Sequence, residues 1–473
     1  MPKDKILVLQ PPSPPFMNVM PDYAGGYGIA FSTTRSTYGH DGGSAPYVSA
    51  LYAAAILDQT GSDVEIIDSH AEQLSDCEAL ERVLRFDPKI IISVVSLPSM
   101  TGDLAFLGML RRHLPDAEVI AIGTTCKLLY PDVLESGAIH AAVRGDVEVV
   151  IPPLVGVLSD GRDLSSVPGI AYKDADGSTH VTDDSEPLRS LNDLPMLPYH
   201  KLPMHQYREP SWGPGVRYMS ILDGRGCPYP CRGYCPYPFG FGRRTLLRNP
   251  SLVVDEIQHL AENFGTEAFI FRNQVFTMYR NHAERICQEI LNRKLNIRWL
   301  CETRLDSVDA EILALMRSAG CERIHYGLES GDPEMFSDVG KPGCDLAKLG
   351  RLVSETKKAG ITAKLNVVIG LPGESWQTVQ NTIRTIRELR PDAVMAAIIT
   401  PYPGTAIFED AKLRGLLLTN DWSQFTGFTP VMCTERLTPD DLLKARKMVE
   451  NCLDDATFPA RAARKALRLV RGR

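Results

Sequence analysis

The sequence lacks any apolar run of the ~18 residues that a membrane-crossing helix needs. Met1–Lys5 carries charge and proline where a secretion signal would place its apolar core, so the expected location is the cytoplasm, with no membrane partner. A large excess of one charge is also missing. The 51 Lys and Arg stand against 58 Asp and Glu, a net charge of −7, which argues against nucleic acid as a partner. At 44% hydrophobic and 23% charged residues, the chain is neither disordered, collagen-like nor coiled-coil. Its 473 residues exceed one ordinary core, so two or three domains are expected. The 11 cysteines form an odd set in a chain without a secretory signal, which excludes a disulfide framework as their main purpose.

The first part reads as a doubly wound α/β unit. Short β-branched runs at Lys5–Gln10, Val64–Ile67, Lys89–Val95, Ala117–Ile122 and Ala138–Val143 alternate with helical patterns at Tyr47–Leu57 and Leu104–His113. Such a sheet binds ligands at its strand C-termini. A hairpin pattern at Gly169–Tyr172 and His180–Thr182 precedes a stretch holding Pro195, Pro198 and Pro203, which reads as a linker. Alternation restarts with strands at Tyr218–Ile221, Ala268–Phe271, Ile297–Leu300, Arg323–Tyr326, Lys364–Ile369 and Ala393–Ile399. Six successive βα units suit a partial (β/α)6 barrel with its chemistry at the strand C-termini. The expected division is 1–160 (Rossmann-like), 161–210 (hairpin and linker), 211–410 (barrel) and 411–473 (helical cap). A basic tail at Arg461, Arg464, Lys465, Arg468, Arg471 and Arg473 reads as a solvated terminal helix or a docking surface.

Eight cysteines (Cys77, Cys126, Cys287, Cys301, Cys321, Cys344, Cys433 and Cys452) are scattered through apolar or helical surroundings and read as small core residues. The other three, Cys227, Cys231 and Cys235, stand at four-residue intervals just after the first barrel strand. Three soft sulfurs on one loop can hold three corners of an iron-sulfur cubane and leave the fourth iron open to a small molecule. Structural zinc needs four ligands, and no Cys or His follows Cys235 within about twenty residues to complete such a site. Tyr229, Tyr234, Tyr237 and Phe239 add aromatic faces suited to an adenine or to packing.

These residues resemble the radical SAM enzymes, whose Cys-x3-Cys-x-aromatic-Cys loop follows the first barrel strand; here the loop has one residue more before Cys235. Further resemblances lie at Cys301–Asp306, Tyr326–Gly331, Val367–Glu374 and Thr400–Thr405. The resemblance implies a [4Fe-4S] cluster on Cys227, Cys231 and Cys235, with S-adenosylmethionine (SAM) on its open iron. It also implies SAM contacts from Tyr234, Asn273, Gln274, Arg304, Glu329, Ser330 and Gly370. Arg304 can fork onto a carboxylate and Glu329 can accept from an ammonium or ribose hydroxyl, or the two can pair with each other.

The first unit resembles the cobalamin-binding module that precedes many radical SAM barrels, with departures. Asp68-Ser69-His70 follows the second strand rather than the first, and Gly123-Thr124-Thr125-Cys126 replaces a Gly-Gly pair, so side chains would obstruct a corrinoid. Bound cobalamin is possible, and a corrinoid-free form of the module is the expectation. The wider cysteine spacing, this module and Phe271–Thr277 together resemble the radical SAM diol dehydratases of aminoglycoside antibiotic (apramycin) biosynthesis. That resemblance implies removal of the C3′ hydroxyl of paromamine through hydrogen abstraction at C4′. It implies as partners an aminoglycoside substrate, an electron donor such as flavodoxin and an NADPH-dependent dehydrogenase. The alternative is a cobalamin-dependent radical SAM methyltransferase acting on a natural-product carbon. Glu209, Asp223, Glu302, Asp306, His325 and Glu435 are candidates for an acid or base, none singled out.

Overall fold

A computed structural model describes residues 4–32, 43–174, 176–209, 212–213, 215–339 and 346–453. The basic tail and Cys344 lie outside the described residues. Strands β1 (Lys5–Gln10), β2 (Met17–Met20), β3 (Ile29–Ser32), β4 (Asp63–Asp68), β5 (Ile90–Val94), β6 (Glu118–Ile122), β7 (Ala141–Val143), β8 (Ile170–Lys173) and β9 (Thr179–Val181) make the first part. Seven of them form a sheet in the order β4-β1-β5-β6-β7-β8-β9. The first five are parallel, and β8 and β9 extend the edge antiparallel. Every residue of β5 is buried. A central parallel strand is covered by helices on both faces, which is why Ile90–Val94 shows no polar alternation. The hairpin proposed for the linker thus belongs to this sheet.

The second sheet has the order β10 (Tyr218–Ile221), β13 (Ala268–Phe271), β14 (Arg298–Thr303), β15 (Cys321–Glu329), β16 (Thr362–Ile369) and β17 (Ala393–Ile398), all parallel. Between β10 and β13 lie the short antiparallel partners β11 (Gly224–Arg225) and β12 (Leu246–Leu247). Helices run between the strands, among them Pro250–Phe264, Arg280–Asn292 and Trp376–Leu389. Burial alternates strictly along β16. Its apolar set (Ala363, Leu365, Val367, Ile369) packs under the helices, which turns Lys364 and Asn366 to the lumen. Barrel lumens are normally filled by branched apolar side chains, so this polar lumen marks the site.

Residues 411–453 are less helical than expected: helices Ala406–Leu413 and Pro439–Glu450 are separated by loops and a single bridge between Leu417 and Met432. Sequence patterning also gave no sign of the β2–β3 hairpin. Its two four-residue strands are too short for a period to show, and it is fixed by contacts to the barrel side, such as Ala30 N donating to Thr426 O at 3.1 Å. One continuous apolar core joins a face of the first sheet to the outer layer of the barrel. No described helix is long and apolar enough to cross a membrane.

Candidate active site

The cysteine loop is pinched at its base by the β11–β12 pair. Gly226 sits there at φ +93°, and a Cβ on it would lie 2.0 Å from Arg244 O, so only glycine closes the loop. Cys227 N then donates to Gly242 O at 3.1 Å. Cys231 opens a 3-10 turn at φ +39°, and the helix Tyr237–Phe241 follows Cys235. The Cys231 and Cys235 thiols hydrogen-bond each other, a contact that with burial drives the Cys235 thiol up. Among the described residues no three Cys, His, Asp or Glu side chains gather tightly enough for a single metal ion. The three sulfurs instead ring a shared cavity, which suits a multinuclear cluster whose ligands bind separate irons.

That cavity has a volume of about 230 Å³. Around its upper wall stand Tyr229, Tyr234, Gln274, Arg304 and Glu329. Glu329 lies at φ +62° beside an irregularity in the β15–β16 register, a strained position for a residue with a Cβ. The Tyr234 hydroxyl donates to the Glu329 carboxylate, and burial first, then that carboxylate, pushes the phenol well above its usual range. Arg304 lies 4.3 Å over the Tyr229 ring and forks onto Asp306 through Nε (2.9 Å) and Nη2 (2.6 Å). Arg304 and Glu329 therefore have separate partners.

Three of the expected SAM contacts stand elsewhere. Asn273 donates to Asp223 Oδ2 at 3.3 Å and accepts from Val275 N, so it shapes the β13 turn behind the cavity. The Ser330 hydroxyl meets Thr382 at 3.2 Å, and Gly370 N donates to the buried Glu374 carboxylate. Burial raises Glu374 to about 7.

The floor of the barrel is charged. Glu302, His325 and Lys364 face one another at one level on β14, β15 and β16. Glu302, His325 and Asn366 line the cavity itself. Burial, then Lys364 and Arg323, holds the His325 imidazole neutral, well below its ordinary range. Burial also lowers the Lys364 ammonium, opposed by Glu302 and Glu209. The other acid-base candidates separate. Asp223 is fully buried and raised by that burial to about 7. Asp306 serves Arg304, and Glu435 pairs with Arg414 at the surface. Lys364 and Asn366 escaped the sequence reading; the signal was their alternation with Ala363, Leu365 and Val367.

The donor set fits a three-cysteine cluster: three sulfurs ring one cavity, and the polar wall beside them suits the charged and hydroxyl groups of SAM. A corrinoid does not fit. At the strand C-termini of the first sheet the space is filled by the turn Ala24–Gly26 and by the helix Tyr237–Phe241. Thr124 Oγ1 donates to Gly25 O at 2.7 Å, and Lys127 Nζ donates to Gly240 O at 2.9 Å. The two cavities along this seam measure about 20 and 10 Å³, against the roughly 300–1,000 Å³ of cofactor sites. His70 is turned to a core contact, Nε2 to Asn18 Oδ1 at 2.7 Å.

Residues 221–386 match the radical SAM superfamily. An uncharacterized methyltransferase of Pyrococcus horikoshii is 28% identical over 405 residues, covering 85% of this chain and 86% of the relative. The anaerobic magnesium-protoporphyrin IX monomethyl ester cyclase of Rubrivivax gelatinosus is 27% identical over 419 residues, covering 85% and 72%. Among solved structures, the radical SAM methyltransferase TsrM from Kitasatospora setae, with cobalamin and a [4Fe-4S] cluster bound, shares the fold. It superposes at a TM-score of 0.71 with 18% identity, over 97% of this chain and 90% of that one. The match lies within the barrel, and the superfamily it points to implies a [4Fe-4S] cluster and SAM. The sugar dehydratase expectation is corrected: further relatives also carry methyltransferase names, and nothing among these relatives supports loss of a hydroxyl, an aminoglycoside substrate or a dehydrogenase partner.

Proposed function

We propose that the chain is a radical SAM enzyme acting on a carbon atom of a polar small molecule, with methyl transfer the outcome its relatives favour. The observation that carries the reading is a three-cysteine cavity opening onto a charged barrel floor. A cluster and SAM bound there would supply radical chemistry at a substrate carbon once an external donor provides one electron. The chain does the rest. Cys227, Cys231 and Cys235 hold three irons and leave the fourth open. Glu329, fixed by the Tyr234 hydroxyl, offers an acceptor for an ammonium or ribose hydroxyl. Arg304, held flat against Tyr229 by Asp306, puts positive charge beside the cysteines. Glu302, His325 and Lys364 supply an acceptor, a neutral imidazole and a donor for the polar groups of a substrate and its protons.

The floor also narrows the substrate. Charged side chains at one level of the floor suit a hydrophilic molecule better than an apolar macrocycle. Methyl transfer is supported by the relatives alone; its methyl group would come from a second SAM by way of a methyl carrier, and the seam as it stands has no room for a corrinoid in that part.

The test is anaerobic turnover of cluster-loaded protein with SAM and dithionite, followed by mass spectrometry. Release of 5′-deoxyadenosine is expected, and a substrate product heavier by one methylene selects methyl transfer. A cluster ligated by four protein side chains, or loaded protein that releases no deoxyadenosine, overturns the reading.

A further inference from the structure

The first sheet reaches the cysteine loop directly. Arg225 lies two residues before Cys227, and its guanidinium forks onto Glu148, at the start of the helix Val147–Ser159 of the first unit. The contacts are Nη2 to Oε1 at 2.5 Å and Nη1 to Oε2 at 3.1 Å, with both side chains almost wholly buried. Arg225 also lies 5.7 Å over the Phe241 ring, on the far side of the loop. That far side is the helix Tyr237–Phe241, where Lys127 of the first unit donates to Gly240 O. Gly240 is pressed so closely on the turn Ala24–Gly26 that a Cβ would lie 1.7 Å from Gly25 O. The loop carrying the three sulfurs is thus gripped on both flanks, at 225 and at 240, by the unit whose ligand edge would otherwise face a cofactor.

We propose that Glu148 and Lys127 are positioning residues: they clamp the two ends of the cysteine loop and so set how the cluster presents its open iron. This rests on the reading of the loop as a cluster site. The argument is energetic as well as geometric. A buried bidentate ion pair is a poor source of net stability compared with apolar packing, and it fixes direction better than apolar side chains do. A pair placed two residues from the first ligand therefore acts on the geometry of that ligand. The first unit then works as a rigid jaw, with Thr124, Lys127 and the glycine turn filling the place of a corrinoid.

The experiment uses full-length, cluster-loaded protein and four variants: Glu148→Gln, Lys127→Met, Arg225→Met and the pair Glu148→Gln/Arg225→Met. Iron content, melting temperature, the EPR spectrum of the reduced cluster with and without SAM, and deoxyadenosine formation are measured. Lys127→Met is expected to keep iron and melting temperature while altering the SAM-dependent EPR change and slowing deoxyadenosine formation about tenfold, since small misplacements of reacting groups are costly. The double variant is expected to recover the melting temperature lost in Glu148→Gln and not its EPR signature, because removing both charges relieves the buried mismatch without restoring the grip. Parental EPR spectra and rates in Lys127→Met and in the double variant overturn the clamp. Absence of a cluster in the unsubstituted protein instead overturns the underlying cluster reading.

Discussion

At the scale of single residues, the site depends on groups held in costly states. Glu329 occupies a left-handed backbone conformation and receives the Tyr234 hydroxyl. Glu329→Gln is expected to retain iron but lower deoxyadenosine formation at least about tenfold, because a carboxylate is the stronger acceptor for an ammonium or hydroxyl; a parental rate at saturating SAM rejects the role. Glu374 is the second such group, buried at the turn after β16 and raised to about 7. A carboxyl whose folded pKa exceeds its unfolded value binds a proton more tightly when folded. Its stabilising contribution is full below about 4.5 and is lost as pH rises through about 7. Glu374→Gln keeps an acceptor for Gly370 N and stays neutral, so its melting temperature should gain on the parent between pH 5 and 8. The whole change is on the order of 3 kcal/mol, and parallel melting curves across that range reject it. The cysteines were legible from spacing alone, whereas the partners of Arg304 and Glu329 were not, since Asp306 is close in sequence but Tyr234 arrives from another loop.

At the scale of elements, the lumen row depends on register. Glu302, His325 and Lys364 meet because β14, β15 and β16 pair in parallel with these residues side by side. Lys364→Met removes one of the two cations that hold the imidazole neutral, leaving Arg323, two residues earlier on β15, with Glu302 and Glu209 as the nearby carboxylates. The His325 pKa should then move upward toward its ordinary range, as followed by NMR titration; no movement would mean that burial alone sets it. The seam makes a harsher prediction. Gly240→Ala puts a methyl carbon into Gly25 O, so the helix Tyr237–Phe241 must shift, at an expected cost of about 1–3 kcal/mol in thermal or denaturant unfolding. The strands were legible because six apolar runs alternate with six-residue or longer helical patterns, and β10 and β13 match their expected bounds to the residue. The β2–β3 hairpin and the loops of 411–438 were not, because tertiary contacts rather than local period define them.

At the scale of the molecule, the two sheets share one apolar core, and the first closes over the mouth of the second. Protein incubated anaerobically with hydroxocobalamin and gel-filtered should emerge without stoichiometric corrinoid bands, while its cluster absorption remains; a near one-to-one corrinoid content contradicts the closed seam. By itself the sequence determined the βα alternation, the barrel and the three-sulfur loop, because these are written in local period and spacing, which neighbouring residues enforce on one another. Only the tertiary structure decided that Glu148 grips Arg225, that Lys127 grips Gly240 and that Lys364 joins Glu302 and His325. Those partners stand 77, 113 and up to 62 positions apart in the chain. Distances of that kind are set by how sheets twist, register and pack, and no local pattern carries them.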